Sequence, residues 1–116
     1  MKNQSIKSDA AVLDRLYSVI QGRKAHPLHD SYVASLFVKG TAKMHAKIAE
    51  ESVELIEASQ KATREGIIHE TADLIFHTMV LLGQWEIGLD EIYGELERRW
   101  GVSGIKEKES RKLKSE

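Results

Sequence analysis

Six acidic side chains fall in two short runs whose spacing could hold a divalent cation. Glu50, Glu51 and Glu54 form one run, with Glu57 beyond it, and Glu70 and Asp73 form the other. Acid clusters on helices are commonly solvated faces, so the positions decide the matter. At about 100° per residue, Met44, Ile48, Leu55 and Ala62 define an apolar stripe, and Glu51 falls within roughly 20° of its centre. Glu54 sits at the stripe's edge, while Glu50 and Glu57 face away as surface residues do. A carboxylate at a core-facing position is costly unless it is paired or binds metal.

The second run lies in a segment that is apolar nearly all round: Ile67, Ile68, Ala72, Leu74, Ile75, Phe76, Met79, Val80, Leu81, Leu82 and Trp85. Such a helix is normally buried. Its polar exceptions, Glu70, Asp73, His77 and Gln84, collect in a seam about 60° wide at helical spacing. No Lys or Arg beyond Arg64 lies on it to close a buried ionic network.

These runs need elements that bring them together. Asp9 can cap a first helix to about Arg23, with Val12, Leu13, Leu16, Val19 and Ile20 on one face. Gly22 to Asp30, with Pro27, is a break. Ser31 can cap a short helix Tyr32–Lys39 closed by Gly40. Thr41 can cap a long third helix to about Lys61, and Thr63 a fourth to about Ile87, ended by Gly88. Asp90 to Trp100 is a fifth. The expected architecture is all-α: a single domain, 1–116, of about five helices around a central antiparallel hairpin. Residues 1–8 and 112–116 are expected to be loose tails.

In a hairpin turning near Ala62, residues whose numbers sum to about 124 lie level. Glu54 is then level with Glu70, and Glu51 with Asp73. Each pair is spaced i, i+3 and projects from one face. Four converging carboxylates repel, and a divalent cation is the simplest neutraliser. An all-oxygen set selects Mg²⁺, with Mn²⁺ as the alternative. A di-iron bundle would use Glu-x-x-His pairs, whereas here Asp73 and His77 are i, i+4. Mg²⁺ on carboxylates commonly pairs with substrate phosphates. Lys39, Lys43 and Lys47 precede the acids, and Arg98, Arg99, Lys108 and Arg111 form a second basic group.

Bulk properties narrow the classes. A net charge of -1 argues against a general nucleic-acid binder. The chain has no cysteine, which excludes disulfides, thiolate ligands and a cysteine nucleophile. No apolar run approaches a membrane span, and MKNQSIKSDA lacks the apolar stretch of a secretory signal, so a cytoplasmic location is expected. One proline, 6% aromatic residues and the lack of period-2 runs favour helices throughout.

Glu50-Glu51-x-x-Glu54 followed by Glu70-x-x-Asp73 resembles the EExxE…ExxD signature of the all-α NTP pyrophosphohydrolase (MazG-like) superfamily. Further segments narrow the resemblance to the phosphoribosyl-ATP pyrophosphatase family. They are Ser31-Tyr32-Val33, Lys39-Gly40, Lys43, Lys47-Ile48-Ala49, Glu70-Thr71-Ala72-Asp73-Leu74, Glu95 to Arg99, and Ser103-Gly104 through Glu107-Lys108 to Arg111. Ala49, Ser52 and Lys106 depart from the family pattern, and none is a proposed metal ligand.

The resemblance implies metal-dependent hydrolysis of phosphoribosyl-ATP to phosphoribosyl-AMP and pyrophosphate, in histidine biosynthesis. It implies Glu51, Glu54, Glu70 and Asp73 as metal ligands, and Glu50 as the acid that orients water or supports a ligand. Lys43, Lys47, Arg99, Lys108 and Arg111 would contact phosphates, and the partners would be a small nucleotide substrate and a second copy of the chain. Trp85 and Leu82 are candidates for that contact. Three alternatives remain open at this level: a pyrophosphohydrolase of ordinary or abnormal nucleotides, a non-catalytic helical dimer module with Lys or Arg opposite Glu70 and Asp73, and a di-iron protein.

Overall fold

The computed structural model describes residues 11–100. Among them are five helices and no strand: α1 (Ala11–Ala25), α2 (Tyr32–Lys39), α3 (Thr41–Gln60), α4 (Arg64–Gln84) and α5 (Leu89–Trp100). Asp9, Lys106, Lys108, Arg111 and the segment around Ser103-Gly104, with both expected tails, lie outside the described residues.

Local chemistry sets most of the boundaries. The Ser31 hydroxyl accepts from the Ala34 amide at 3.1 Å and starts α2. Gly40 closes it with φ 90°, its amide donating to Leu36 O at 3.0 Å. That φ favours glycine, because a Cβ there meets its own backbone. The same Gly40 carbonyl accepts from the Met44 amide at 3.2 Å, so Gly40 and not Thr41 is the cap of α3. Thr41 is instead the first helical residue.

The turn between α3 and α4 is three residues long. Thr63 N bonds Ala58 O at 3.1 Å while Ala62 takes φ 54°, the left-handed closure that usually carries glycine. Thr63 stands at the N-cap of α4, but its side chain makes no cap bond. At Gly66 a Cβ would meet Ala58 Cβ and Thr63 Cγ2, both at 3.3 Å, so glycine lets α4 leave the turn close against α3.

Two boundaries differ from expectation. α1 runs on through Gly22 to Ala25, because Lys24 Nζ donates to Gly83 O at 2.9 Å and holds the last turn of α1 against α4. α4 stops at Gln84 rather than near Ile87. Glu86 takes φ 55°, Ile87 N returns to Leu82 O at 3.0 Å, and the Tyr17 hydroxyl donates to Ile87 O. Gly88 does not end α4. It precedes α5, and Glu91 accepts its amide at 3.1 Å, half of a capping box.

The pairing of α3 with α4 is the most extensive contact, and α1 and α2 pack on one side of that hairpin. The core between them holds Tyr17, Ile20, Leu36, Met44, Met79, Val80 and Leu89. α5 is attached by Leu89, by Tyr93 against the core, and by Tyr93 Oη donating to Asp14 at 3.0 Å. Burial is narrower than the apolar pattern implies. Ala62 is exposed in the turn, not in the stripe of α3. Val12 and Val19 of α1 are exposed, and Tyr17 takes the buried place. The whole circumference of α4 is not covered: Ile68, Ala72 and Ile75 are open to solvent, as are Val53 and Ile56 of α3.

Candidate metal centre

The hairpin places the acids in two triads that meet at Glu54. Glu50, Glu51 and Glu54 on α3 each offer an oxygen within 4.8 Å of the others. His69, Glu70 and Asp73 on α4 do the same. The Glu54 carboxyl bears on both Glu51 and Glu70, and the Asp73 charge is felt at Glu51. This is the register that a turn at Ala62 dictates. Glu51 is buried, Glu54, Glu70 and Asp73 are half-buried, and Glu50 is exposed, in keeping with the wheel. His69 is an addition to the residues that the sequence singles out. It is exposed, and its Nε2 lies 3.2 Å from Asp73 Oδ2.

Electrostatics in this cluster are unfavourable to the charges present. Burial pushes the Glu51 carboxyl up to about 7, helped by its contact with Glu54 and the charge of Asp73. Burial of its carboxyl, then the charge and contact of Glu54, also raise Glu70. Among the described residues, no Lys or Arg forms an ion pair with Glu51, Glu54, Glu70 or Asp73. An ionic network closed by basic partners, which a non-catalytic module would need, is therefore missing from the described residues. Glu70 Oε1 is buried with no hydrogen-bond partner. An orphaned carboxylate oxygen is costly unless something fills the place of the missing donor. Carboxylate oxygens without basic partners fit a hard divalent cation.

Lys47 lies beside the cluster, its Nζ 3.4 Å from Glu50. Burial works against its ammonium, but the Glu50 contact and the nearby charges of Tyr32, Glu50 and Glu51 raise its pKa overall. Lys43 is exposed in the first turns of α3. Lys39, at the end of α2, lines a shallow cavity with Pro27, Ser31 and Val38. Arg99 is exposed near the end of α5, where its Nε donates to Glu95 at 2.8 Å, as the Arg98 side chain also does at 2.6 Å. These two pairs hold the Glu95 carboxyl down at about 2. Nothing among the described contacts ties Arg99 to the acids of α3 and α4.

Behind Glu51 lies a polar group that residue spacing alone does not assign. His77 Nδ1 is 3.1 Å from Glu51 Oε1 and 3.0 Å from the Asp73 carbonyl, and its Nε2 is 2.9 Å from the Tyr32 hydroxyl. Both ring nitrogens are engaged, which leaves neither for a metal and removes the main support for a di-iron site. Burial holds the His77 pKa down. The polar seam of α4 points to His77. Only the docking of α2 shows what faces it.

The family model described as phosphoribosyl-ATP pyrophosphohydrolase matches residues 13–100. A curated protein of Geotalea daltonii named phosphoribosyl-ATP pyrophosphatase is 55% identical over 100 residues, covering 86% of this chain and 94% of its own. A protein of the same name from Geobacter metallireducens is 50% identical over 100 residues, covering 86% and 92%. Another, from Trichlorobacter lovleyi, is 44% identical over 107 residues and covers 92% and 99%.

Proposed function

This chain belongs to the phosphoribosyl-ATP pyrophosphohydrolase family, and on that premise we propose that it hydrolyses phosphoribosyl-ATP to phosphoribosyl-AMP and pyrophosphate, a step of histidine biosynthesis, in the cytoplasm. The observation that carries the chemistry is a set of acids, Glu51, Glu54, Glu70 and Asp73, that no Lys or Arg pairs with among the described residues, with one buried carboxylate oxygen of Glu70 left unpaired. Glu51, Glu54, Glu70 and Asp73 would hold Mg²⁺, with Mn²⁺ able to replace it. When bound, such an ion supplies neutralisation of phosphate charge and a more acidic water.

The other roles belong to side chains around these acids. Glu50, exposed beside the cluster, would orient the attacking water and accept its proton, or support a ligand. Lys47 bears on the same acids and offers an ammonium to a phosphate that approaches them, and Lys43 lies one turn earlier on α3. Lys39, Arg99, Lys108 and Arg111 are proposed as further phosphate contacts. Positioning and charge stabilisation would then account for most of the rate, with no covalent intermediate.

A homodimer belongs to the same proposal. Val53 and Ile56 on α3 and Ile68 and Ile75 on α4 are more than 40% exposed, and they share one side of the hairpin. A second copy would cover them. Trp85, 65% exposed, and Leu82, partly buried against the chain's own core, are candidates for that contact.

The test is pyrophosphate release from phosphoribosyl-ATP, with ATP, dUTP and dCTP in parallel, with and without Mg²⁺, for the native chain and Glu70→Gln. Mg²⁺-dependent release from phosphoribosyl-ATP alone, lost in the variant, is expected. Release only from an ordinary nucleotide would move the protein to a different substrate at the same site. A folded protein that releases nothing and binds no divalent ion would overturn the reading.

A further inference from the structure

We propose that His77, held by Tyr32, is a positioning residue that holds the Glu51 side chain in place at the metal centre proposed above. The inference rests on the metal-binding role given above to Glu51. His77 and Glu51 are 5% and 4% exposed, the two buried polar side chains of the described chain. The Asp73 carbonyl can only accept a hydrogen bond, so the His77 Nδ1 that faces it at 3.0 Å carries the proton. Nδ1 also lies 3.1 Å from Glu51 Oε1. With that proton on Nδ1, Nε2 is the acceptor for the Tyr32 hydroxyl at 2.9 Å. Donation runs in one direction, from Tyr32 to His77 to the Asp73 carbonyl, with the Glu51 carboxylate packed against the same nitrogen.

The ring has little freedom to turn. Phe76 meets it edge-on at 5.0 Å and Tyr32 at 5.9 Å, and Tyr32 stacks on Phe76 at 6.2 Å. Tyr32 in turn is set by the Ser31 cap of α2. Nδ1 packed 3.1 Å from Oε1 sets where the Glu51 carboxylate sits. One imidazole also touches both sides of the centre, a carboxylate of α3 and the backbone of Asp73 on α4. Partners of this kind orient ligands elsewhere, and their loss commonly weakens metal binding by about 10- to 100-fold.

The experiment titrates Mn²⁺ into the metal-free protein, followed by the loss of the free-ion electron paramagnetic resonance signal. It compares the native chain with His77→Gln, His77→Asn and Tyr32→Phe, and measures kcat and KM for phosphoribosyl-ATP at saturating metal. Glutamine puts its amide near the Nε2 position and leaves the Nδ1 place beside Glu51 and the Asp73 carbonyl empty, so Mn²⁺ affinity should fall about 10- to 100-fold, with KM for the nucleotide unchanged. Asparagine puts an N–H near the Nδ1 position and should restore most of the affinity. Should His77→Gln fail to fold, Tyr32→Phe carries the test, since its ring stays and only the hydroxyl is lost. It should weaken Mn²⁺ binding severalfold. Native affinity in a folded His77→Gln, or in Tyr32→Phe where the histidine variant does not fold, would overturn the proposal. So would no Mn²⁺ binding by the native chain. A native chain that binds Mn²⁺ but leaves phosphoribosyl-ATP intact, with His77→Gln binding weakly, would remove the substrate assignment and support the positioning role.

Discussion

Replacing Glu51 with glutamine should make the metal-free protein more stable at neutral and alkaline pH. The Glu51 carboxyl is raised from 4.5 to about 7 by burial and by its neighbours Glu54 and Asp73. The folded state therefore holds this proton to higher pH than the unfolded chain does. Between pH 4.5 and about 7 it binds more protons, so stability falls as pH rises through that window. Below it both states are protonated and nothing is lost. At about 1.4 kcal/mol per pH unit, the whole gap is worth about 3 kcal/mol at pH 8, and less than about 1 kcal/mol at pH 5. The substituted glutamine keeps the shape of the side chain beside His77 and carries no charge. In EDTA, at one fixed protein concentration, Glu51→Gln should gain about 3 kcal/mol over the native chain at pH 8. With the urea dependence usual for small proteins, that moves the midpoint by roughly 1–3 M. Urea unfolding at pH 5 and pH 8 measures it. Equal midpoints at both values, or a variant less stable at pH 8, would refute the picture of Glu51 as a carboxylate whose ionisation the fold opposes.

Three further outcomes follow from the same geometry. Mg²⁺ should raise the melting temperature of the native chain, by about 2.7 kcal/mol of stability at a hundredfold excess over its dissociation constant, and a thermal scan of Glu70→Gln should show little of this gain. Ala62→Gly relieves a left-handed backbone at φ 54° and, after the added freedom of the unfolded chain, should stabilise by about 0.5–1 kcal/mol in the same urea assay. Val53→Lys with Ile56→Lys places charge on the open side of the hairpin, and sedimentation should show a dimer for the native chain and a monomer for the variant.

How far the sequence discloses this molecule depends on the range of the interactions involved. Ser31 and Gly40 bound α2 through contacts within four residues, and both are legible. The register of α3 on α4 is legible too, because a short turn and the helical repeat leave one way to align Glu54 with Glu70. The end of α4 is not. Glu86 has no chemistry that announces a left-handed residue, and Ile87 is held by Tyr17, 70 residues earlier. The overestimate of burial on α4 has a similar cause: apolarity marks what must leave water, not which surface will cover it. At the site, the acids stand out by residue type and spacing. Tyr32 does not, since an exposed-looking tyrosine on a short helix gains its role only when α2 docks over His77. His69 is a local i, i+4 partner of Asp73, and spacing alone could have found it.

The turn at Lys61, Ala62 and Thr63 also limits how this protein can vary. Each added residue would swing α4 by about 100° and shift it about 1.5 Å along its axis. A single insertion would carry Glu70 off the face that meets Glu54, while leaving both helices intact and the chain just as apolar. The same swing would turn Val80, also on α4, out of the core, so the centre and the packing beneath it would be lost together. Natural drift and laboratory mutagenesis alike can rewrite the letters of this turn, but a change in their number should erase the centre at a stroke.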